Sequence, residues 1–108
     1  MTFKPKHTTL FILFLVVSTL SLAQVTTSIR GNVVDEKGAP IFAASIYLNN
    51  NQGTFSEEDG TFQISNVVPG SYNLSASFVG YDSQTKFNII IKSKGNRSFN
   101  FILIEYSE

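Results

Sequence analysis

The carboxylates of this chain are the first candidates for chemistry, because three of them are consecutive. Glu57, Glu58 and Asp59 offer oxygen ligands of the kind that hold calcium. A calcium loop, however, presents its ligands at alternating positions with further carbonyl or carboxylate support, and that spacing is missing here. We therefore interpret the three residues as a solvated turn closed by Gly60, and we assign no metal ligand.

Nucleophiles and bases are the second candidates. The chain has no cysteine, and its one histidine, His7, lies in an N-terminal segment that we expect to be removed. The remaining residues contain no imidazole base, no thiolate and no ordinary zinc ligand set. Chemistry by a serine and lysine pair or by paired carboxylates stays open on composition alone. We predict a protein that is not an enzyme, with no catalytic residue and no cofactor.

Aromatic side chains are the third candidates, because sugar rings stack on them. Tyr47 and Phe55 point outward by the alternation of their strands. Tyr72 shares the parity of Leu74 and Phe78, which assigns it to the core. A platform needs two or three coplanar rings on one surface, and parity does not test that requirement. A glycan contact through Tyr47 and Phe55 is therefore our second hypothesis for function.

Two strands near the C-terminus carry apolar residues on both faces. Ile90, Ile102 and Ile104 fall opposite the residues that point inward. A sheet face that is open to water normally alternates with polar residues. Either the fold covers both faces or a partner does, so these three isoleucines form our candidate partner interface. A neighbouring domain, a second copy of the chain or a receptor would serve as the partner.

The elements that position these residues begin after residue 23. Lys4 and Lys6 precede an apolar run, Leu10 to Ala23, whose 14 positions are too few to span a membrane. This pattern predicts a signal peptide over residues 1–23 with cleavage before Gln24, and an uncleaved anchor is the alternative. We expect an exported domain, residues 24–108, with no transmembrane span and a periplasmic or outer-membrane location. Its six cations and eight carboxylates give a formal charge of 6 − 8 = −2, which does not favour nucleic acid.

Period-two alternation runs through the expected domain, and no window shows the 3.6-residue period of a helix. The alternation places Ile29 and Val33 on one face of the first strand, and Phe87, Ile89 and Ile91 on the inward face of the sixth. Turn signals recur about every 8 to 12 residues, among them a type II turn at Pro69-Gly70. The pattern predicts an all-β fold, a seven-stranded antiparallel β-sandwich.

The stretches "IRGNVVDEKGAPIFAASIYL" and "GTFSEEDGTFQISNVVPGSYNLSASFVGY" resemble the carboxypeptidase regulatory-like domain, a transthyretin-like sandwich. The resemblance rests on turn and core positions, so it implies a shape, a transthyretin or prealbumin-like, Ig-like sandwich, and supplies no reactive group. It departs at Ala43-Ala44, where the family often has Gly-Ala, and at Ser56-Glu57, where it often has Thr-Asp.

In the family, this domain follows zinc carboxypeptidases and also precedes TonB-dependent outer-membrane receptors, including glycan importers. The resemblance implies an accessory or interaction module with an envelope protein or an adjacent receptor domain as its partner. It leaves open whether the chain stands alone or is cut from a longer receptor.

Overall fold

The computed structural model describes residues 24–106, which contain seven β-strands and no helix. The expected signal segment, 1–23, and the last two positions of the expected domain lie outside the described residues. The strands are β1 (Thr27–Asp35), β2 (Ser45–Leu48), β3 (Gly53–Phe55), β4 (Thr61–Val67), β5 (Gly70–Ser77), β6 (Gln84–Ile91) and β7 (Phe99–Leu103).

The strands form two sheets that pack face to face, which confirms the seven-stranded β-sandwich. The three-stranded sheet has the order β4-β1-β7, and the four-stranded sheet has the order β3-β2-β5-β6. All pairs are antiparallel except β1 and β7, which are parallel. The expectation of an antiparallel sandwich is therefore wrong at this pair. The reason is that β7 enters the three-stranded sheet by a crossover from β6, and a crossover allows parallel pairing whereas a tight hairpin does not.

The core lies between the two sheets and consists of the side chains that alternation points inward. Phe101, Leu103, Ile29 and Leu74 are fully buried, and the rings of Phe62 and Phe101 lie 6.2 Å apart at 46°. Every buried side-chain nitrogen or oxygen within residues 24–106 has a hydrogen-bond partner. Packing therefore stabilises this domain without a disulfide, because the chain has no cysteine.

Gly31 lets β7 and β4 approach the centre of the three-stranded sheet. A Cβ atom on Gly31 would lie 1.7 Å from the carbonyl oxygen of Phe99 and 2.6 Å from the ring of Phe62. No other residue fits between these neighbours unless the backbone of β7 moves. The glycine therefore sets how closely the three strands pack.

The edge strand β6 contains a β-bulge that reverses its alternation. Leu74 pairs with Lys86 and Tyr72 with Ile89, so two steps along β5 correspond to three along β6. Asn88 takes the extra position with φ of 52°, and its N–H donates to Oδ1 of Asn73 at 3.0 Å. The expectation that Phe87 points inward is therefore wrong: the side chain is 70% exposed. Alternation resumes after the bulge, so Ile89 and Ile91 are buried as predicted.

The connection at Pro69-Gly70 is also different from the expected type II turn. Gly70 does not have the positive φ that a type II turn requires at its second central position. The nearby positive φ of 60° belongs to Asn66 inside β4, where the pairing with β1 shifts register. The connection joins β4 of one sheet to β5 of the other, so it does not have to form a tight hairpin. The hydroxyl of Tyr72 donates to the carbonyl oxygen of Val68 and holds this crossing in place.

Candidate functional site

The acidic turn uses its carboxylate to close the backbone. Asp59 Oδ1 accepts hydrogen bonds from the N–H of Thr61 at 3.1 Å and from its hydroxyl at 2.6 Å. These two hydrogen bonds lower the pKa of Asp59, and the bond from the Thr61 hydroxyl has the larger effect. Within residues 24–106, no group of three histidine, cysteine or acidic side chains is placed to hold a metal ion. The turn joins β3 to β4 and therefore links the two sheets.

Tyr81 is a second titratable group whose environment changes its pKa. It lines a shallow cleft together with Asp35 and Glu105. Partial burial raises the pKa of Tyr81, and the negative charges of Glu105 and Asp35 raise it further. An ordinary phenol is already protonated at neutral pH, and the raised pKa makes a phenolate base or nucleophile in this cleft still less accessible.

The outer face of the four-stranded sheet carries Tyr47 and Phe55 side by side. Ser45 pairs with Phe55 and Tyr47 pairs with Gly53, so the two aromatic residues are diagonal neighbours on adjacent strands. Tyr47 is 40% exposed and Phe55 is 67% exposed, as expected for outward residues. The structure therefore brings the two predicted glycan contacts onto one surface.

Phe87 lies on the same outer face and was missed because of the bulge in β6. Ser75 and Thr85 lie between Phe87 and Tyr47 on this face, and their hydroxyl oxygens are 2.8 Å apart. The sequence gives one weak signal of the bulge, Asn88, because asparagine tolerates the positive φ of the extra position better than most residues. We call this surface, with Tyr47, Phe55 and Phe87, the aromatic face.

The three isoleucines of the predicted partner interface lie on two different surfaces. Ile90 belongs to β6 and lies on the outer face of the four-stranded sheet, 64% exposed. Ile102 belongs to β7, pairs with Val34 on the outer face of the three-stranded sheet, and is 53% exposed. Ile104 follows two residues later and is 44% exposed. Ile102 and Ile104 are thus neighbours, whereas Ile90 is not part of the same patch.

Comparison with known proteins identifies the family. The model of the carboxypeptidase regulatory-like domain matches residues 28–103, almost the whole described region. The chain belongs to the carboxypeptidase regulatory-like domain family. The matched segment of this regulatory-like domain includes both sequence stretches on which the resemblance rests, residues 29–48 and 53–81.

Solved structures show the same fold in other chains. The regulatory-like domain is similar to one chain in each of two solved structures, both mutants of the type II Cohesin-X-Dockerin complex from Acetivibrio cellulolyticus. For the C-terminal interface mutant the TM-score is 0.59 at 16% identity, covering 69% of this chain and 52% of that chain. For the N-terminal interface mutant the TM-score is 0.61 at 14% identity, covering 75% of this chain and 58% of that chain.

At these identities the likeness shows the fold alone, and the regulatory-like domain spans little more than half of each of those chains. No curated protein matches the sequence. Across residues 24–106, the structure has no helix long and apolar enough to cross a membrane.

Proposed function

We propose that this regulatory-like domain is a non-catalytic interaction module of the cell envelope that binds a protein partner. The observation that carries the proposal is the apolar pair of Val34 and Ile102 on the outer face of the three-stranded sheet, extended by Ile104. We call these three residues the apolar patch. Ile102 and Ile104 are each about half exposed, so a partner that covers them gains about half of the roughly 1.5–3 kcal/mol that complete burial of each side chain contributes.

The envelope location rests on the signal-like segment at residues 1–23 and on the resemblance of the sequence to the N-terminal extension of TonB-dependent receptors. The sequence resembles the N-terminal extension of TonB-dependent receptors, so the proposed partner is an adjacent receptor domain or another protein of the uptake machinery. The two similar solved chains come from Cohesin-X-Dockerin complexes, which are assemblies of proteins. That setting supports a role for this fold in protein assembly.

The packing of the domain suits such a role. The patch lies on β1, on β7 and on the residue that follows β7, and the inner faces of the two strands contribute Val33 and Phe101 to the core. A side chain on a packed sheet keeps its position, so little conformational entropy is lost when a partner binds. The module would therefore act as a rigid surface that undergoes no chemical step.

The experiment replaces Ile102 by aspartate and uses Asn100→Asp as the matched control. Both residues are exposed on β7 and point to the same face, so the two variants introduce the same charge two positions apart. Purified protein is crosslinked in envelope extract, and captured proteins are identified by mass spectrometry. We expect one protein to be captured by the wild type and by Asn100→Asp, and to be lost with Ile102→Asp.

A wild-type protein that stays monomeric and captures no specific protein would contradict the proposal. So would equal capture by the wild type and Ile102→Asp.

The second candidate function is glycan binding, and the aromatic face favours it. Tyr47 and Phe55 share this face with Phe87 and with hydroxyl groups that can bind sugar hydroxyls. Binding on a glycan array that Tyr47→Ala removes and Phe42→Ala leaves unchanged would support this function. Phe42 is a suitable control because it is 57% exposed and precedes β2, outside the aromatic face. An array without binding would exclude it for the glycans tested.

A further inference from the structure

Charge in this domain is divided between its two ends. All seven carboxylates of residues 24–106 lie near the end where β1 finishes, in or beside the turns there: Asp35, Glu36, Glu57, Glu58, Asp59, Asp82 and Glu105. Four of the six described cations lie toward the other end: Arg30, Lys92, Lys94 and Arg97. We call that part of the domain the basic end. The formal charge of −2 over residues 24–108 averages these two ends and conceals the difference.

The topology creates the basic end. Antiparallel pairing places the start of β1 beside the end of β4, and β7 runs parallel to β1. The connection from β6 to β7, residues 92–98, therefore reaches the end where β1 begins. This connection brings three cations, Lys92, Lys94 and Arg97, toward Arg30 on β1.

A polar cleft of about 490 Å³ lies at the basic end between β1 and this connection. Two guanidinium groups, three hydroxyls and one amide line it: Thr27, Ser28, Arg30, Asn96, Arg97 and Ser98. No carboxylate lines this arginine cleft, whereas Glu57 lines a neighbouring cleft that also includes Arg30. The lining is therefore rich in hydrogen-bond donors and positive charge.

Local contacts hold the arginine cleft in shape. Asn96 Oδ1 accepts from the N–H of Lys92 at 2.8 Å, and its Nδ2 donates to the Lys92 carbonyl at 2.7 Å. The same Nδ2 donates to Thr27 Oγ1 at 3.4 Å, which ties the connection to β1. The guanidinium of Arg97 lies 5.5 Å from the centre of the Phe99 ring, a cation–π contact that limits its motion.

We propose that the arginine cleft binds a phosphate group. Guanidinium groups form paired hydrogen bonds with phosphate oxygens, and such charge-assisted bonds are stronger than neutral ones. Arg30 and Arg97 supply two of these groups, and the hydroxyls of Ser28 and Ser98 supply donors for the remaining oxygens. Lys92 and Lys94 add attraction for a second negative charge nearby.

The phosphate group belongs either to a soluble phosphate ester or to a lipid headgroup, and these sources share the same chemistry. The site uses none of the apolar patch or the aromatic face. It therefore stands independently of the proposed protein partner, and Ile102→Asp should bind phosphate as the wild type does.

The experiment measures binding of inorganic diphosphate to the purified protein by NMR at constant ionic strength of about 0.1 M, which limits non-specific attraction. We expect the largest shifts in the amide signals of Ser28, Arg30 and Arg97. The double variant Arg30→Gln/Arg97→Gln should weaken the affinity about tenfold or more. Lys37→Gln, which removes a cation from the opposite end, is the matched control and should leave binding unchanged.

Arg97→Lys separates geometry from charge, because lysine keeps the charge and lacks the planar fork. We expect its affinity to fall between those of the wild type and the double variant. Sedimentation with phosphatidylcholine vesicles, with and without phosphatidylglycerol, distinguishes the sources. Arginine-dependent binding to free diphosphate supports a soluble ester, and arginine-dependent binding to the anionic vesicles alone supports a lipid headgroup.

The proposal is overturned if neither probe binds. It is also overturned if the folded double variant binds both probes as tightly as the wild type.

Discussion

The two sheets of the sandwich differ in how tightly their sequence determines their geometry. In the three-stranded sheet the register shifts between Thr27 and Ile29, at the end of the ladder with β4, and pairing is continuous from Ile29 to Asp35. Within that stretch Gly31 leaves no room beside Phe99. The four-stranded sheet ends in β6, where the extra residue at Asn88 changes which side chains face outward. A central strand between two partners is constrained on both sides, whereas an edge strand can absorb an extra residue and expose Phe87.

This difference indicates where the domain tolerates an extra residue at little cost in stability. The extra residue in β6 places the side chain of Phe87 on the outside of the sandwich and leaves Ile89 and Ile91 in the core. An extra residue in β7 would instead turn a core residue, Phe99 or Phe101, outward.

Two phenylalanines provide the strongest way to break the comparison. Phe101 in β7 is fully buried, and its replacement by alanine should reduce the free energy of unfolding by about 3–5 kcal/mol. Phe87→Ala in β6 should change it by no more than about 0.5 kcal/mol, because that ring is 70% exposed. Urea unfolding followed by circular dichroism measures both values. Similar losses for the two variants would show that the bulge does not expose Phe87.

Two glycines provide the next test. Gly31→Ala should cost about 3 kcal/mol, because its Cβ would overlap the Phe99 carbonyl oxygen 1.7 Å away. Gly38→Ala should cost about 1–2 kcal/mol, because Gly38 has φ of 84° but no atom within 4 Å of the new Cβ. The same unfolding measurement compares them. A larger loss at Gly38 would mean that the turn, and not the close strand approach, limits stability.

The smallest expected effect is at the turn that links the two sheets. Thr61→Val removes the hydroxyl that donates to Asp59, so the pKa of Asp59 should rise toward its ordinary value. Because the pKa of Asp59 is lower in the folded than in the unfolded state, its carboxylate stabilises the fold at pH values above the unfolded-state pKa. This stabilisation is lost as the pH falls through the folded-state pKa. NMR titration of the Asp59 carboxyl signal measures the shift. Thr54→Val serves as the control, because Thr54 is not hydrogen-bonded to Asp59, and an unchanged Asp59 pKa in Thr61→Val would refute the assigned cause.

The sequence predicted the inner faces of the strands well, because side chains alternate strictly wherever pairing is continuous. Ile29, Val33, Ala44, Ile46 and Leu74 are all buried as alternation required. Phe87 was misplaced because one extra residue in β6 reverses the alternation, and only the partner strand reveals the register.

The arrangement of the candidate sites was less predictable, since it depends on which strands share a sheet. Alternation correctly identified Ile90 and Ile102 as outward residues, yet β6 and β7 belong to different sheets and the two residues lie apart. The parallel direction of β7 likewise follows from the path of the crossover and not from its own residues. The arginine cleft could not be found from net charge, because Arg30 and Arg97 are far apart in sequence and meet only through that crossover.

The parallel pairing of the first and last strands has a mechanical consequence. Thr27 begins β1 and Leu103 ends β7, so a chain passing through the domain enters at one pole and leaves at the opposite one. Tension applied between those points pulls β1 and β7 along their common axis in opposite directions. All the hydrogen bonds between them must then resist sliding together instead of opening one after another. Force spectroscopy should accordingly find that this module yields at higher load than a sandwich whose terminal strands can be peeled apart.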